Sequence, residues 1–144
     1  MQFLERLKPL GLLVLRLAVG ASFMVHGYPK LKDPGHWFRI FAGFGLPSYF
    51  VYISGILELF GGGLLILGLF TRGIGLLLAI EMGVVLIKTR FPEATIHTFG
   101  QYELPLILGT AALALATTGA GLISIDAFTF ESRRKGAKKS KSKD

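Results

Sequence analysis

The sequence predicts an all-α integral membrane protein built as a bundle of four transmembrane helices. Hydrophobic residues make up 51% of its 144 positions and charged residues only 17%, whereas soluble domains carry about 25% charged residues. The mean hydropathy is +0.57, and the apolar residues are gathered into four long segments. This composition argues against a soluble enzyme. The absence of cysteine excludes disulfides, thiol chemistry and Cys-ligated metal centres.

Each apolar segment is long enough, or nearly long enough, to cross a membrane, which takes about 20 mainly apolar residues. The segments cover residues 10–25, 49–70, 73–87 and 104–125. The first and third are short, but they reach a spanning length when extended to residues 9–27 and 71–89. A cleaved signal peptide is the alternative for the first segment, and Arg16 inside its apolar stretch argues against it.

The connections between the segments differ in length. The second is tight, around residues 71–73, and predicts an antiparallel helical hairpin. The first covers about residues 28–48 and holds aromatic residues at helical spacing: Trp37, Phe38, Phe41 and Phe44. Such spacing predicts either a short interfacial helix in an outer loop or an irregular aromatic loop that caps the bundle. The third connection, residues 88–100, is predicted to be external.

Basic residues predict the orientation of the chain. Seven of the 16 Lys and Arg residues lie between residues 131 and 144 and account for the net charge of +7. With four spans, both termini share one side, and the excess of basic residues there predicts that this side is cytoplasmic. We therefore expect a transmembrane domain over residues 1–128 and a basic, disordered tail over 129–144. The tail lacks interleaved aromatic residues, which favours contact with membrane lipids over nucleic acid.

Three charged residues interrupt the apolar segments near mid-depth: Arg16, Glu58 and Glu81. A charge inside a bilayer span costs about 2.5–3.5 kcal/mol on insertion scales, so such residues usually face one another inside a bundle. The three are therefore predicted to form one buried cluster. It is either a structural staple that fixes helix rotation or a catalytic site that relays protons or binds a ligand.

A second polar group is predicted at the outer ends of the segments. Its members are His26, Lys30, Lys88 and Glu103. These residues either bind a polar headgroup, such as a quinone ring, or cap the helices at the membrane interface. Haem is less favoured, because the second histidine it would need, His97, is predicted to lie in a loop. No metal site is predicted.

Small residues predict two helix contacts. Gly75, Ala79 and Gly83 form a stripe of the kind that lets two helices approach closely, and it lies opposite Glu81 on a helical wheel. If Glu81 points into the bundle, the stripe faces a partner subunit or a second copy of the chain. The three glycines at 61–63 lie in an apolar span and lack the Lys-Ser/Thr of a phosphate loop, so they also predict close helix packing.

Several short motifs, in order, resemble those of the DoxX family of membrane proteins. The resemblance covers about residues 10–128 and rests on Arg16, His26-Gly27-Tyr28-Pro29-Lys30-Leu31, Gly45-Leu46-Pro47, Gly55-Ile56-Leu57-Glu58, residues 67–72 and residues 119–126. Ala120 stands where the family commonly has proline. The resemblance implies a four-helix protein of bacterial and archaeal membranes. It also implies that the protein is related to small subunits of quinol oxidase and thiosulfate:quinone oxidoreductase complexes.

The sequence thus favours an accessory subunit of a respiratory, quinone-linked oxidoreductase, multi-pass in the plasma or inner membrane. In this hypothesis Arg16, Glu58 and Glu81 bind a quinone or relay protons, and the outer polar group shapes the mouth. The chain shows no strong cofactor site, so electron transfer would need a metal or flavin on a partner. The alternatives are a non-catalytic scaffold or assembly protein and, less favoured, a small-solute or proton-linked carrier.

Overall fold

The computed structural model describes residues 2–88 and 100–129, and within them every regular element is helical. The helices are α1 (Gln2–Lys32), α2 (Pro34–Gly43), α3 (Tyr49–Leu67), α4 (Thr71–Lys88) and α5 (Gly100–Thr118), followed by a short helical turn over residues 125–129. The all-helical prediction is confirmed for this part of the chain. Most of the third connection, including His97, and nearly all of the basic tail lie outside the described residues.

Helix α1 is longer than the predicted span. It runs through Pro29 and ends at Lys32, and the Asp33 N–H closes its last turn on the Pro29 carbonyl at 2.9 Å. A proline inside a helix removes one backbone donor, yet neighbouring turns can keep their hydrogen bonds. Lys30 is therefore a helical residue on α1.

The aromatic segment of the first connection forms helix α2, which resolves the choice between a helix and an irregular loop. The helix opens with Pro34 at its first position, where proline's missing N–H costs nothing. Phe41 is buried, and Trp37, Ile40 and Phe44 are half-buried. Helix α2 thus presents an apolar face to the rest of the protein.

The four long helices share one apolar core. Helix α1 packs mainly on α3 and α4 mainly on α5, and α3 also contacts α4. All four contribute buried side chains to the core, which contains Val19, Phe23, Leu65, Leu78, Met82, Leu108, Ala112 and Leu115.

Glycine pairs set the close approach of α1 to α3. A Cβ added at Gly62 would lie 2.5 Å from the Gly20 carbonyl oxygen, and one added at Gly27 would lie 2.8 Å from the Gly55 carbonyl oxygen. Contacts this short leave no room for a side chain. The predicted packing role of the glycines at 61–63 is confirmed at Gly62.

The small-residue stripe of α4 packs within the chain, contrary to the prediction. A Cβ on Gly75 would lie 2.8 Å from the Ala112 carbonyl oxygen on α5, and Ala79 packs against the core. Gly83 has open space around it. An outward-facing stripe is therefore wrong for Gly75 and Ala79, because α5 already occupies that side of α4.

The last predicted segment also ends early. Helix α5 stops at Thr118, because Gly119 and Gly121 adopt positive φ angles of 83° and 77° that glycine tolerates and other residues rarely do. The chain then turns back, and the Asp126 N–H donates to the Gly68 carbonyl at 2.9 Å. Residues 119–125 form the turn that closes this end of the protein.

Two of the described helices are long and apolar enough to cross a membrane by length and composition, over Arg6–Lys32 and Tyr49–Leu67. Helix α5 contributes a shorter apolar stretch, Tyr102–Thr118. Helix α4 is less apolar because its 18 residues include Arg72, Glu81 and Lys88.

Candidate functional site

Arg16 binds backbone carbonyls and not the two glutamates. Its guanidinium donates to the carbonyl oxygens of Leu65 at 3.0 Å and Ile66 at 3.2 Å, in the last turn of α3. It also donates to the carbonyls of Ala120 and Ile123 in the turn after α5. The carbonyls that end a helix lack intrahelical partners, so the guanidinium caps α3. The predicted cluster is therefore wrong for Arg16, which does not join Glu58 and Glu81.

Asp126 completes the same end of the protein. Its carboxylate accepts hydrogen bonds from the Phe70 and Thr71 N–H groups at 2.9 and 3.0 Å, where α4 begins. The carboxylate therefore caps the N-terminus of α4 from a distant part of the chain. We call Arg16, residues 65–71 and residues 120–126 the closure, since together they join α1, α3, α4 and the turn after α5.

Lys30 is the partner of Glu58. Its ammonium forms an ion pair with Glu58 Oε2 and donates to Ser54 Oγ at 2.9 Å. Lys30 is 7% exposed and Glu58 2% exposed. Ser54 and Glu58 are four residues apart on one face of α3, and Gly27 and Gly55 bring α1 close enough for the lysine to reach both. Lys30, predicted at the outer mouth, lies in the buried cluster instead of Arg16.

The remaining face of the Lys30 ammonium meets aromatic rings. An ammonium has three N–H donors and no acceptor, and Glu58 and Ser54 take two of them. The Nζ atom lies 5.5 Å from the Trp37 ring centre and 5.9 Å from that of Phe41, both on α2. These distances fit cation–π attraction, and the third N–H has no oxygen partner among the described residues.

A cavity of about 280 Å³ lies beside this ion pair, and we call it the inner cavity. Helix α2 covers it, and α1, α3, α4 and α5 form its walls. Its polar lining is His26, Lys30, Glu58 and Lys88; its apolar lining is Trp37, Ile40, Phe41, Phe44, Leu46, Met82, Val85, Leu104, Pro105 and Leu108. Helical bundles commonly place ligand sites between their helices.

The structure brings together most of the predicted ligand-binding residues. His26, Lys30 and Lys88 line the inner cavity. Glu103 does not: it is exposed, in the first turn of α5. The prediction that Glu103 shapes the mouth is wrong in this geometry, because the α5 wall is made of Leu104, Pro105 and Leu108.

Glu81 lies next to the ion pair without joining it. Both of its carboxyl oxygens are buried and have no hydrogen-bond partner among the described residues. Its electrostatic surroundings include the Glu58 carboxylate, the Ser54 hydroxyl and the Lys30 ammonium. Burying a carboxyl group without a hydrogen-bond partner costs free energy. Glu81 can therefore still bind a proton or accept a hydrogen bond.

Sequence reasoning missed Ser54 and the capping role of Asp126, and it gave the covering of the bundle by Trp37 and Phe41 only as one of two alternatives. A signal existed for Ser54, since it precedes Glu58 by one helical turn. Asp126 ends the motif of residues 119–126, but nothing local indicated its hydrogen-bond partners, which are 55 and 56 residues away along the chain. In the described part of the chain, no group of three His, Asp or Glu residues is arranged to hold a metal ion.

Comparison with known proteins identifies the family of the chain. The model of the DoxX family matches residues 11–91. "Putative oxidoreductase CatD" of Bacillus subtilis is 32% identical over 129 residues, covering 88% of this chain and 92% of CatD. "Inner membrane protein YphA" of Escherichia coli is 29% identical over 126 residues, covering 83% of this chain and 90% of YphA. "Uncharacterized membrane protein Rv3486" of Mycobacterium tuberculosis is 35% identical over 89 residues, covering 57% of this chain and 53% of that protein.

No solved structure is significantly similar to the chain. The family match covers more than half of the 144 residues, and it includes both the Lys30–Glu58 pair and Arg16. The chain belongs to the DoxX family of membrane proteins.

Proposed function

We propose that the protein is a multi-pass bundle of four transmembrane helices, α1, α3, α4 and α5, in the plasma or inner membrane. At 1.5 Å per residue, α4 and α5 are about 27–29 Å long, close to the roughly 30 Å of the hydrocarbon layer. Both share one core with the two more apolar helices. The excess of Lys and Arg near the termini supports a cytoplasmic location for both ends.

We further propose that this bundle is the membrane subunit of a quinone-linked oxidoreductase and binds a quinone or quinol ring in the inner cavity. The observation that carries the proposal is the Lys30–Glu58 pair. It presents, beside a carboxylate and inside an aromatic-walled cavity, an ammonium N–H that no oxygen of the described residues accepts. The ammonium can donate a hydrogen bond to a ring carbonyl, and the carboxylate can accept one from a ring hydroxyl, so the pair suits both a quinone and a quinol. Planar rings pack well on Trp37 and Phe41.

The cavity residues fit such a ring in both size and chemistry. The volume of 280 Å³ is near the lower end of the range for ligand pockets, about 300–1,000 Å³, and suits one or two fused rings. A bound quinone would supply two-electron, two-proton redox chemistry. In this site Lys30 donates a hydrogen bond to a ring oxygen, and Glu58 accepts the hydrogen of a ring hydroxyl.

Glu81 and Ser54 extend the site away from the cavity. Lys30 donates to the Ser54 oxygen, so the hydroxyl hydrogen of Ser54 is free to turn toward the Glu81 carboxyl. When a bound quinol is oxidised and releases two protons, Glu58 would accept the first and pass it through Ser54 to Glu81, and Glu58 would then accept the second. Electrons would pass to a redox centre on a partner subunit. The name of the Bacillus relative, "Putative oxidoreductase CatD", agrees with this class of reaction.

The tryptophan of the cavity wall provides the test. Trp37 is the protein's one tryptophan, so its fluorescence reports on the cavity directly. The protein in lipid nanodiscs is titrated with menadione, a naphthoquinone ring without a tail, and with phylloquinone, the same ring with a phytyl tail. Saturable quenching by either quinone is the expected result.

Variants separate a binding site from a structural ion pair. Removing one partner of a buried pair destabilises a protein, whereas replacing both with apolar residues is often neutral. We therefore use the double variant Lys30→Met/Glu58→Leu, with Glu103→Gln as a control at an exposed position. A lost charge-assisted hydrogen bond of about 1.5–3 kcal/mol corresponds to weakening by at least about tenfold.

Two outcomes would reject the proposal. One is the absence of saturable quenching by both quinones in the unmodified protein. The other is equal affinity in the folded double variant and in Glu103→Gln. Either result would leave the ion pair with a structural role and favour the non-catalytic scaffold.

A further inference from the structure

A pocket of about 480 Å³ lies beside the closure, between the start of α4 and the end of α5, and we call it the closure pocket. Its lining includes Phe70 and Asp126 of the closure, Arg72 on α4 and Thr118 at the end of α5. It shares no lining residue with the inner cavity, which lies at the other end of these helices. The quinone site therefore leaves this pocket without a role.

Arg72 brings a positive charge to the closure pocket. Its side chain lies against Gly119, since a Cβ added at Gly119 would be 3.2 Å from Arg72 Nε and 3.7 Å from Nη2. Arg72 is exposed, and its guanidinium forms no hydrogen bond or ion pair with another described residue. The planar fork of a guanidinium is well suited to phosphate oxygens. Arg72 thus has N–H donors available for a phosphate group.

Asp126, the acidic side chain of the closure pocket, is already engaged. Each of its two carboxylate oxygens accepts a backbone N–H, from Phe70 at 2.9 Å and from Thr71 at 3.0 Å. The Arg16 guanidinium also attracts this carboxylate, and the positive end of the α4 dipole offsets part of its charge. Asp126 is therefore held by the closure, and Arg72 stays available to an anion from outside the protein.

Phe70 gives the closure pocket an apolar wall. Its φ angle is 52°, a left-handed value that bulky residues rarely adopt, and the hydrogen bond from its N–H to Asp126 holds the backbone there. The side chain is 69% exposed. A positive charge and an exposed apolar side chain thus line the same pocket. The two features match a phospholipid, whose charged phosphate is joined to apolar acyl chains.

Two hydroxyl groups of the lining can only accept further hydrogen bonds. Thr118 Oγ1 donates its hydrogen to the Ala114 carbonyl at 2.7 Å, and Thr129 Oγ1 donates to the Ile125 carbonyl at 3.0 Å. A hydroxyl group has one hydrogen to donate and two lone pairs. The two oxygens therefore suit a ligand that carries hydroxyl groups, such as a glycerol head group. A choline head group has no N–H or O–H to offer them.

We propose that the closure pocket binds an anionic glycerophospholipid, with its phosphate on Arg72 and an acyl chain along Phe70. Seven Lys and Arg residues lie between residues 131 and 144, soon after the last lining residue, Thr129. Basic clusters next to a transmembrane helix are attracted to the anionic lipids of the cytoplasmic leaflet. The inference rests on the topology proposed above, which places this end of the bundle in that leaflet, and it does not depend on quinone binding.

The chain offers matched control variants. Arg72→Gln removes the charge of the pocket, and Arg6→Gln removes an exposed charge of α1 outside the pocket. Phe70→Ala removes the apolar wall, and Phe128→Ala removes a side chain that is 78% exposed and lies outside the lining. All four positions are exposed, so each variant should fold and keep a Tm close to that of the unmodified protein in detergent.

Binding is measured by native mass spectrometry of the full-length protein in detergent micelles, titrated with dioleoyl phosphatidylglycerol or dioleoyl phosphatidylcholine. We expect the first phosphatidylglycerol to bind at least about tenfold more tightly than phosphatidylcholine. One basic residue near anionic lipid strengthens binding about fivefold. Arg72→Gln should therefore weaken phosphatidylglycerol binding about fivefold and leave phosphatidylcholine binding unchanged, whereas Arg6→Gln should match the unmodified protein.

Two further arms test the acyl chain. Phe70→Ala loses apolar contact, so it should weaken the binding of both lipids about threefold to tenfold, and Phe128→Ala should not. Glycerophosphate carries the phosphate and a glycerol without acyl chains, and we expect it to leave bound phosphatidylglycerol in place. If glycerophosphate displaces the lipid with equal affinity, the ligand is a soluble phosphate ester and the lipid assignment is overturned.

Two other results would overturn the inference. One is equal affinity for the two lipids in the unmodified protein. The other is equal phosphatidylglycerol binding by Arg72→Gln and Arg6→Gln, which would assign the attraction to the basic tail and not to the pocket. The assay contains neither quinone nor an oriented membrane, so its failure would leave the quinone site and the topology untouched. Failure of menadione and phylloquinone to quench Trp37 would equally leave the lipid site in place.

Discussion

Replacing Arg16 with methionine should destabilise the protein without weakening ring binding. Methionine keeps the unbranched apolar stem and removes the guanidinium, so it isolates the hydrogen bonds from the packing. Four carbonyl oxygens would lose their donor, two at the end of α3 and two in the turn after α5. The inner cavity lies at the other end of α1, beside Lys30, and should keep its shape.

The size of the effect follows from the burial of these hydrogen bonds. Those to Leu65 and Ala120 are buried, and those to Ile66 and Ile123 are half-buried, so water can replace the second pair. Two buried hydrogen bonds from a charged donor contribute about 3–6 kcal/mol. Methionine has no charge to desolvate, which offsets part of this. We expect a net loss of about 3–4 kcal/mol in the free energy of unfolding.

The assay is thermal unfolding in detergent, followed by menadione titration in nanodiscs. A loss of this size corresponds to a fall in Tm of about 10–15 °C. Arg39→Met is the control, because Arg39 is exposed on α2 and should change the free energy of unfolding by less than about 0.5 kcal/mol. The reasoning is refuted if Arg16→Met has the same Tm as Arg39→Met. It is also refuted if Arg16→Met keeps its Tm but binds menadione tenfold more weakly.

Two further substitutions test the packing and the caps. Gly62→Ala would place a methyl group 2.5 Å from the Gly20 carbonyl oxygen, so we expect it to lower the free energy of unfolding by about 1–3 kcal/mol or more. Gly63→Ala, whose nearest neighbour would be Met24 Sδ at 4.0 Å, should be neutral or stabilising; equal Tm values for the two would contradict the close approach of α1 to α3. Asp126→Ala removes the acceptor at the start of α4 and should cost about 0.5–2 kcal/mol, measured by the same thermal unfolding. Asp33 precedes α2 without a side-chain capping hydrogen bond, so a similar loss in Asp33→Ala would argue against the capping role of Asp126.

Runs of apolar residues predicted the long helices well because each helix carries its own local signal. The start of α3, the presence of a tight connection into α4 and the helical spacing in α2 are all properties of neighbouring residues. The connection itself lies at residues 68–70 and not at the predicted 71–73, because Gly68 ends α3 in a left-handed conformation. The predictions failed where the structure depends on residues that are far apart along the chain. The end of α5 depends on the positive φ angles of Gly119 and Gly121, which composition alone reads as part of an apolar span.

The wrong partner for Arg16 has a geometric cause. The first connection is long and contains α2, so it does not fix how far α3 slides along α1. The glycine pair formed by Gly20 and Gly62 sets that register and places Arg16 opposite Leu65, with Glu58 further along toward Lys30. The sequence identified Arg16 and Glu58 as buried but placed Lys30 at the outer mouth, because the register of α3 on α1 determines which charged residues meet.

The closure at Arg16 has a consequence for how the protein is made. Arg16 is synthesised more than 100 residues before Ala120 and Ile123, two of its four acceptors. Until that turn is made, the guanidinium lacks two of the carbonyl oxygens to which it donates. A chain that stops short of Ala120 contains all five helices but cannot form these two hydrogen bonds. Completion of the fold therefore depends on a stretch that is synthesised after the helices.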